Sequence, residues 1–245
     1  MTVPFELTGN LIDLNSYPAW VREMVGATGE LRERVRTHPL FTEMSGGRLK
    51  SSQLKTFFVT GWAVVSQFPE YMAMNLLKTA ALRSRGEEKA RRFLIRNIRV
   101  EQNHVDHWVN WAAESGVPAE ALLQGAAPLA GFSLSHWCWK SSNKDSLAAS
   151  IAATNYAIEG ITGEWSAALC ATQYELQFDQ AVRRRAMRWL TLHAGYDDRH
   201  PWEALDIVAT LLGQSPTVER VREVEESVCK SLDYFLTSLD CCMDT

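Results

Sequence analysis

Apolar residues recur at three- and four-residue intervals along nearly the whole chain, the pattern of helices that each bury one face. That period predicts helices over 17–37, 51–80, 86–115, 146–173, 179–198, 201–213 and 216–240, with short ones at 39–45, 118–124 and 133–141. Ser51 and Ser52 before QLKTFF, and Ser215-Pro216-Thr217 before VERVREVEE, read as helix starts. Gly116 follows the 86–115 helix and Pro118 opens the next. Pro69 falls inside the predicted 51–80 helix and should bend it. No Asn-Gly or Asp-Gly pair separates alternating apolar runs, so hairpins are not expected. Long helices with short connections and no linker between them imply one all-α bundle with a shared core.

Composition adds limits. The chain has 245 residues, 46% hydrophobic and 22% charged, which places it among ordinary globular proteins. At that length it can bury enough surface to fold without disulfides or a structural metal. A net charge of −4 excludes a dominant electrostatic grip on nucleic acid. Arg91, Arg92, Arg96, Arg99 and Arg183 to Arg185 then read as solvated helix faces. The five cysteines, two of them adjacent at Cys241 and Cys242, lack zinc-like spacing and form no pairing framework. MTVPFELTGN has no cationic lead or apolar stretch, and no run of ~18 apolar residues is free of charge. A cytoplasmic protein without a membrane span is expected, and a homodimer is compatible with the sequence.

Chemistry enters where polar residues interrupt apolar faces. In IRVEQNHVDHWVNW, Glu101 and His104 are three apart, about 60° from each other on a helix, and Trp108 continues that face. In SLAASIAATNYAIEGITGEWSAALCA, a helix rich in small residues, Asn155, Glu159, Thr162 and Ser166 form one polar stripe. A carboxylate there needs a proton, a cation or a metal. In MRWLTLHAGYDDRHPWEAL, His193, Asp197 and His200 lie within about 60° on a continuous helix, with His200 placed where Pro201 ends it. Asp198 falls off that stripe. Glu101, His104, Glu159, His193, Asp197 and His200 are therefore candidate ligands from three helices. Three carboxylates with three imidazoles suit two iron or manganese ions, because zinc does not need so many ligands and calcium does not use histidine. Of the remaining histidines, His38 before Pro39 reads as a helix end. His107 reads as a surface or supporting group, and His136 as a core residue or one that orients the site.

These runs, together with ARRFLIRNIRVEQNHVDHWVNW and LSHWCWKSS, resemble the heme-oxygenase-like diiron oxidases, whose fold is related to TenA and PqqC proteins. Within that superfamily the likeness is strongest to UndA-type medium-chain fatty-acid decarboxylases, and it extends from SYPAW at 16–20 to the last helix. The resemblance implies a single heme-oxygenase-like domain over 1–245, with about seven core helices and an N-terminal extension over 1–15. It implies Glu101, His104 and His193 on one Fe(II) and Glu159, Asp197 and His200 on the other, with one carboxylate bridging and the second ion more weakly held. Some relatives carry another acid on the first core helix. Here Ser66 and Gln67 occupy that stretch and the nearest acid is Glu70, so no ligand is assigned there.

The implied reaction converts a saturated medium-chain fatty acid, such as dodecanoic acid, to a terminal alkene and carbon dioxide. Dioxygen is the cosubstrate, a peroxo-diferric species removes the β-hydrogen, and an external reductant restores ferrous iron. Trp62, Phe68, Tyr71, Met72, Trp189 and Leu192 are candidates for the wall of the chain pocket, with plain core packing as the competing role. Two other chemistries are carried alongside. One is oxidation of an amino acid or amine at the same diiron centre. The other is a metal-free TenA-like hydrolase with Cys138 as nucleophile, which lacks a His/Asp partner at a legible spacing. A module that binds heme through His38, or binds a lipid without catalysis, is the remaining rival.

Overall fold

In a computed structural model the chain is described over residues 3–196 and 199–245, with no strand among the described residues. The helices are α1 (Ala19–Ala27), α2 (Gly29–Arg36), α3 (Pro39–Ser45), α4 (Ser51–Val65) and α5 (Phe68–Leu77). There follow α6 (Arg85–Glu114), α7 (Ala119–Gln124), α8 (Ser133–Lys144), α9 (Leu147–Ile151) and α10 (Glu159–Cys170). Then come α11 (Gln180–Ala186), α12 (Arg188–Tyr196), α13 (His200–Leu212) and α14 (Val218–Met243). The segment ahead of α1 lies against this body: Phe5 is buried, and Gln214 donates its backbone N–H to the Val3 carbonyl at 2.8 Å.

The longest helix shows why the bundle forms. Ser84 caps α6 by accepting the Glu87 N–H, and Glu87 and Glu88 set negative charge against the positive end of the helix. Its buried positions are Ala90, Phe93, Leu94, Asn97, Glu101, His104, Trp108, Trp111 and Ala112, one stripe at helical spacing. α5, α12 and α13 pack along this stripe, and α14 crosses α8 and the segment before α10.

Four predicted helices are interrupted, and one of them, the 179–198 helix, is split at Met187 into α11 and α12. The 17–37 helix is two, broken at Thr28, whose hydroxyl bonds back to the Met24 carbonyl at 3.0 Å. The 51–80 helix is also two. Pro69 sits in the first turn of α5, where its missing N–H costs nothing, so it opens a helix instead of bending one. The 146–173 helix contains a π-helical stretch over Ala152–Ile158, every residue of it buried, immediately before Glu159. Such stretches widen a helix locally and recur at functional sites.

α10 and α13 are drawn together by Gly160. A side chain there would put its first carbon 3.2 Å from Pro201 Cβ and 3.3 Å from Arg32 Nη2, so the start of α13 rests against the start of α10. That contact sets Glu159 beside His200.

Candidate metal centre

α6 supplies Glu101 and His104 from adjacent turns, α10 supplies Glu159 at its first residue, α12 supplies His193 and α13 supplies His200. All of these side chains are buried. Glu101, His104 and His193 place ligand atoms within 4.8 Å of one another, as do Glu101, Glu159 and His200. Glu101 is common to both groups, so it is the carboxylate positioned to bridge. His200 heads α13 and does not end the preceding helix: Pro201 tolerates the first turn of a helix far better than its interior. Asp197 and Asp198 lie outside the described residues.

The hydrogen bonds sort the donors. His193 Nδ1 donates to the Trp189 carbonyl at 2.8 Å, which fixes Nε2 as the lone-pair nitrogen. His104 Nδ1 lies 3.1 Å from Glu101 Oε2, and His200 Nδ1 lies 3.0 Å from Glu159 Oε1. Neighbouring ligands that each sit about 2.1 Å from a first-row ion stand about 3 Å apart when they meet at a right angle, so these pairs fit a shared metal. Asn155 Nδ2 donates to Glu159 Oε2 at 3.0 Å and is itself held by the Thr154 hydroxyl, which donates to Asn155 Oδ1 at 3.2 Å.

Burial disfavours charge on every group here, and the neighbours decide the outcome. For Glu101, burial raises the pKa, but its bond to His104 and the charges of His104, His193 and His200 outweigh it and hold the carboxyl below the usual range. For Glu159, burial wins, reinforced by the negative charge of Glu101, and its pKa is raised. His104 and His200 lose basicity to burial but gain more from Glu101 and Glu159, so both are raised. His193 is pulled down to about 4 by burial and by His104, which leaves it a neutral ligand at physiological pH. Two acids with oppositely displaced pKa values, ringed by imidazoles in a dry interior, are a donor set that a pair of divalent cations would satisfy.

Two cavities lie side by side here, and the cluster bounds one of them. That one is lined by Glu101, His104, Glu159 and His193 together with Val64, Val65, Phe68, Ile158, Thr162 and Trp189. The second shares Val64, Val65, Ile158, Thr162 and Trp189 with the first. It runs on past Phe57, Trp108 and Trp165 to Phe235 and Leu239, and among the described residues no charged side chain lines it. Of the predicted pocket residues, Phe68 and Trp189 border these spaces. Trp62, Tyr71, Met72 and Leu192 border neither: Tyr71 and Met72 are wholly buried in the core, and Trp62 and Leu192 are part-buried. Sequence reasoning missed Val64, Val65 and Ile158 as wall residues, although Thr162 stood in the recognised polar stripe.

The other candidates fall elsewhere. His136 is exposed and is neither core nor near the site, because α8 turns that face outward. Glu70 is exposed. Both nitrogens of His38 are engaged, Nδ1 accepting the Leu40 N–H at 3.2 Å and Nε2 facing Asp240 Oδ1 at 3.0 Å, which leaves no nitrogen for heme iron. Cys138 is fully buried, and burial pushes its thiol far above the ordinary range, so it does not ionise as a nucleophile must.

Among known proteins, a crystal structure of a TenA homologue from Pseudomonas syringae pv. tomato is 46% identical, with a TM-score of 0.96 over 99% of this chain and 100% of that one. A TenA homologue from Pyrococcus furiosus, 13% identical with a TM-score of 0.71 over 91% of this chain and 99% of that one, shares the fold. A 4-aminobenzoate synthase from Chlamydia muridarum is 27% identical over 220 residues, 84% of this chain and 86% of that protein. Residues 55–233, which hold every described member of the buried Glu/His cluster, match a family defined as iron-containing redox enzymes, and the chain belongs to that family.

Proposed function

We propose that this protein is a dioxygen-dependent non-heme diiron oxidase that decarboxylates a medium-chain fatty acid to a terminal alkene. The observation that carries the reading is the adjacency of two cavities: the one bounded by the Glu/His cluster shares Val64, Val65, Ile158, Thr162 and Trp189 with an apolar space that no charged side chain lines among the described residues. A fatty acid fits both ends of that space, its carboxylate toward the metals and its chain along Val64, Ile158, Trp165 and Phe235.

Bound iron would supply the electrons and Lewis acidity that activate dioxygen. Glu101, His104 and His193 would hold one ion, and Glu101, Glu159 and His200 the other, with Asp197 as a further ligand implied by the family resemblance. Asn155 orients Glu159 by holding Oε2, so Oε1 faces His200. Val64, Val65, Phe68 and Ile158 exclude water from the reacting end. Each turnover converts acid, dioxygen, two electrons and two protons into alkene, carbon dioxide and two waters. The substrate contributes the other two electrons as its Cα–carboxyl bond and a β C–H bond break and a C=C bond forms.

A second reading, oxidation of an amino acid or amine at the same metals, is favoured by the relatives named 4-aminobenzoate synthase. Against it stands the cavity wall, which among the described residues offers an ammonium group no carboxylate beyond the metal-binding pair. The test is anaerobic loading with ferrous iron, addition of dodecanoic acid and oxygen, and analysis of the headspace for 1-undecene beside a count of bound iron. Alkene that vanishes in His104→Ala and Glu159→Ala is the expected result. Iron-loaded protein that makes no alkene from acids of several lengths would transfer the reading to amino-acid oxidation.

A further inference from the structure

Full reduction of dioxygen takes four electrons, and a desaturating decarboxylation yields only two, so the buried cluster needs an electron route to the surface. A run of easily oxidised rings provides one. The Trp189 ring stacks on His193, centroids 3.9 Å apart and planes 28° apart. Trp189 stacks in turn on Trp111 at 5.4 Å and 21°. Trp111 Nε1 donates to Tyr174 Oη at 3.0 Å. Tyr174 borders a cleft shared with Glu114, Ser115, Gln177 and Phe178.

Packing alone asks only for bulk, which phenylalanine would supply. It does not ask that indole and phenol, the ring side chains most readily oxidised, succeed one another without a gap from a candidate ligand to a cleft on another face. Trp108 and Trp165 also touch Trp189, at 4.8 and 5.5 Å, and like Trp189 both line the apolar cavity, so a vacancy passed to them would stay beside substrate, whereas Trp111 and Tyr174 line neither space at the cluster. The branch through Trp111 and Tyr174 leads away from it.

We propose that Trp189, Trp111 and Tyr174 form a relay that carries single electrons from a reductant in the Tyr174 cleft to iron held by His193. This rests on the diiron reading above. With iron and dioxygen bound, Trp189 would yield one electron to the oxidant they form, which ferric iron alone is too weak to take; the vacancy would pass to Trp111 and then to Tyr174, which releases its phenolic proton to water in the cleft. A one-electron reductant such as ascorbate then reduces the tyrosyl radical, and water returns the proton. The side chains end unchanged, one electron has moved from reductant to iron, and two passages complete a turnover.

The experiment loads the protein with ferrous iron, counts the bound metal, admits oxygen without substrate and freezes the sample for electron paramagnetic resonance. In parallel, oxygen is admitted with ascorbate present and ascorbate oxidation is followed by its absorbance. A tyrosyl signal is expected in the parent, lost in Trp111→Phe and in Tyr174→Phe, with ascorbate oxidation slowed severalfold in both and iron content unaltered. Tyr174→Phe removes one hydroxyl only, so a parental melting temperature keeps its result interpretable. Iron-loaded parent without a tyrosyl signal, or Tyr174→Phe that oxidises ascorbate at the parental rate, overturns the relay and leaves the metal reading standing. A tyrosyl signal in zinc-loaded protein likewise overturns the relay, and protein that binds no iron overturns both.

Discussion

The turn of α6 that carries Glu101 and His104 and the turn after it, which carries Trp108 and Trp111, share one buried face yet are stabilised on opposite terms. Trp108 and Trp111 find complete partners inside the protein: Trp108 Nε1 donates to the Phe58 carbonyl at 3.1 Å, Trp111 Nε1 to Tyr174, and their rings pack on Phe57, Phe58 and Trp189. Among the described residues, Glu101 and His104 find only each other and further acids and imidazoles. The aromatic turn lowers the energy of the metal-free chain, whereas the polar turn costs folding energy that a cation would recover. Substitutions in the two regions should therefore separate stability from metal affinity.

The largest effect belongs to the aromatic side. Trp165 is buried and stacks on Phe41 at 4.6 Å, so Trp165→Ala should cost about 3–5 kcal/mol in denaturant unfolding. Iron stoichiometry in the fraction that folds should be unchanged. Next comes the polar side. Asn155→Ala removes the donor that fixes Glu159 and should weaken iron binding about 10- to 100-fold, read by chelator competition, for roughly 1 kcal/mol of stability. If Asn155→Ala unfolds the chain while leaving metal affinity intact, the contrast between the two regions is wrong.

A smaller change sharpens the boundary between them. Phe235 lines the far part of the apolar cavity, so Phe235→Leu should shift chain-length preference toward longer acids. Competition between acids of neighbouring length should show about 0.8 kcal/mol per methylene, roughly fourfold. The smallest effect lies away from both regions. Lys78 donates to the Ser141 and Asp145 carbonyls, and burial lowers its pKa from 10.5 to about 8, against the pull of Asp145. Between those values the unfolded chain holds the proton and the folded chain has released it, so stability should rise with pH there relative to Lys78→Met, and the difference should be flat below pH 8. Paired unfolding curves across that range measure it.

The buried face of α6 was legible because its period persists for eight turns, and Glu101 and His104 were conspicuous as acid and imidazole on an apolar stripe. Glu159 was legible from its small-residue helix for the same reason. What a linear reading handled poorly were positions set by other helices. Tyr71 and Met72 have the character of pocket residues, but α5 turns them into the core, while Val64 and Val65 look like ordinary core and face the cavity. His193 and His200 fit one continuous helix by spacing, yet they head toward the site from two. Their convergence depends on the contact of Gly160 with Pro201, remote in sequence and invisible to periodicity.

The widened backbone over Ala152–Ile158 makes the position of Glu159 a matter of residue count as well as residue type. Loss of a single amino acid from that segment would restore regular winding and leave the helix beyond it close to its present register, because the wide turn is where one extra residue is absorbed. The same loss from a regular stretch would swing everything downstream by about 100°. A one-residue deletion in the widened segment is therefore a change that descendants of the chain could carry while keeping Glu159 near its place opposite His200.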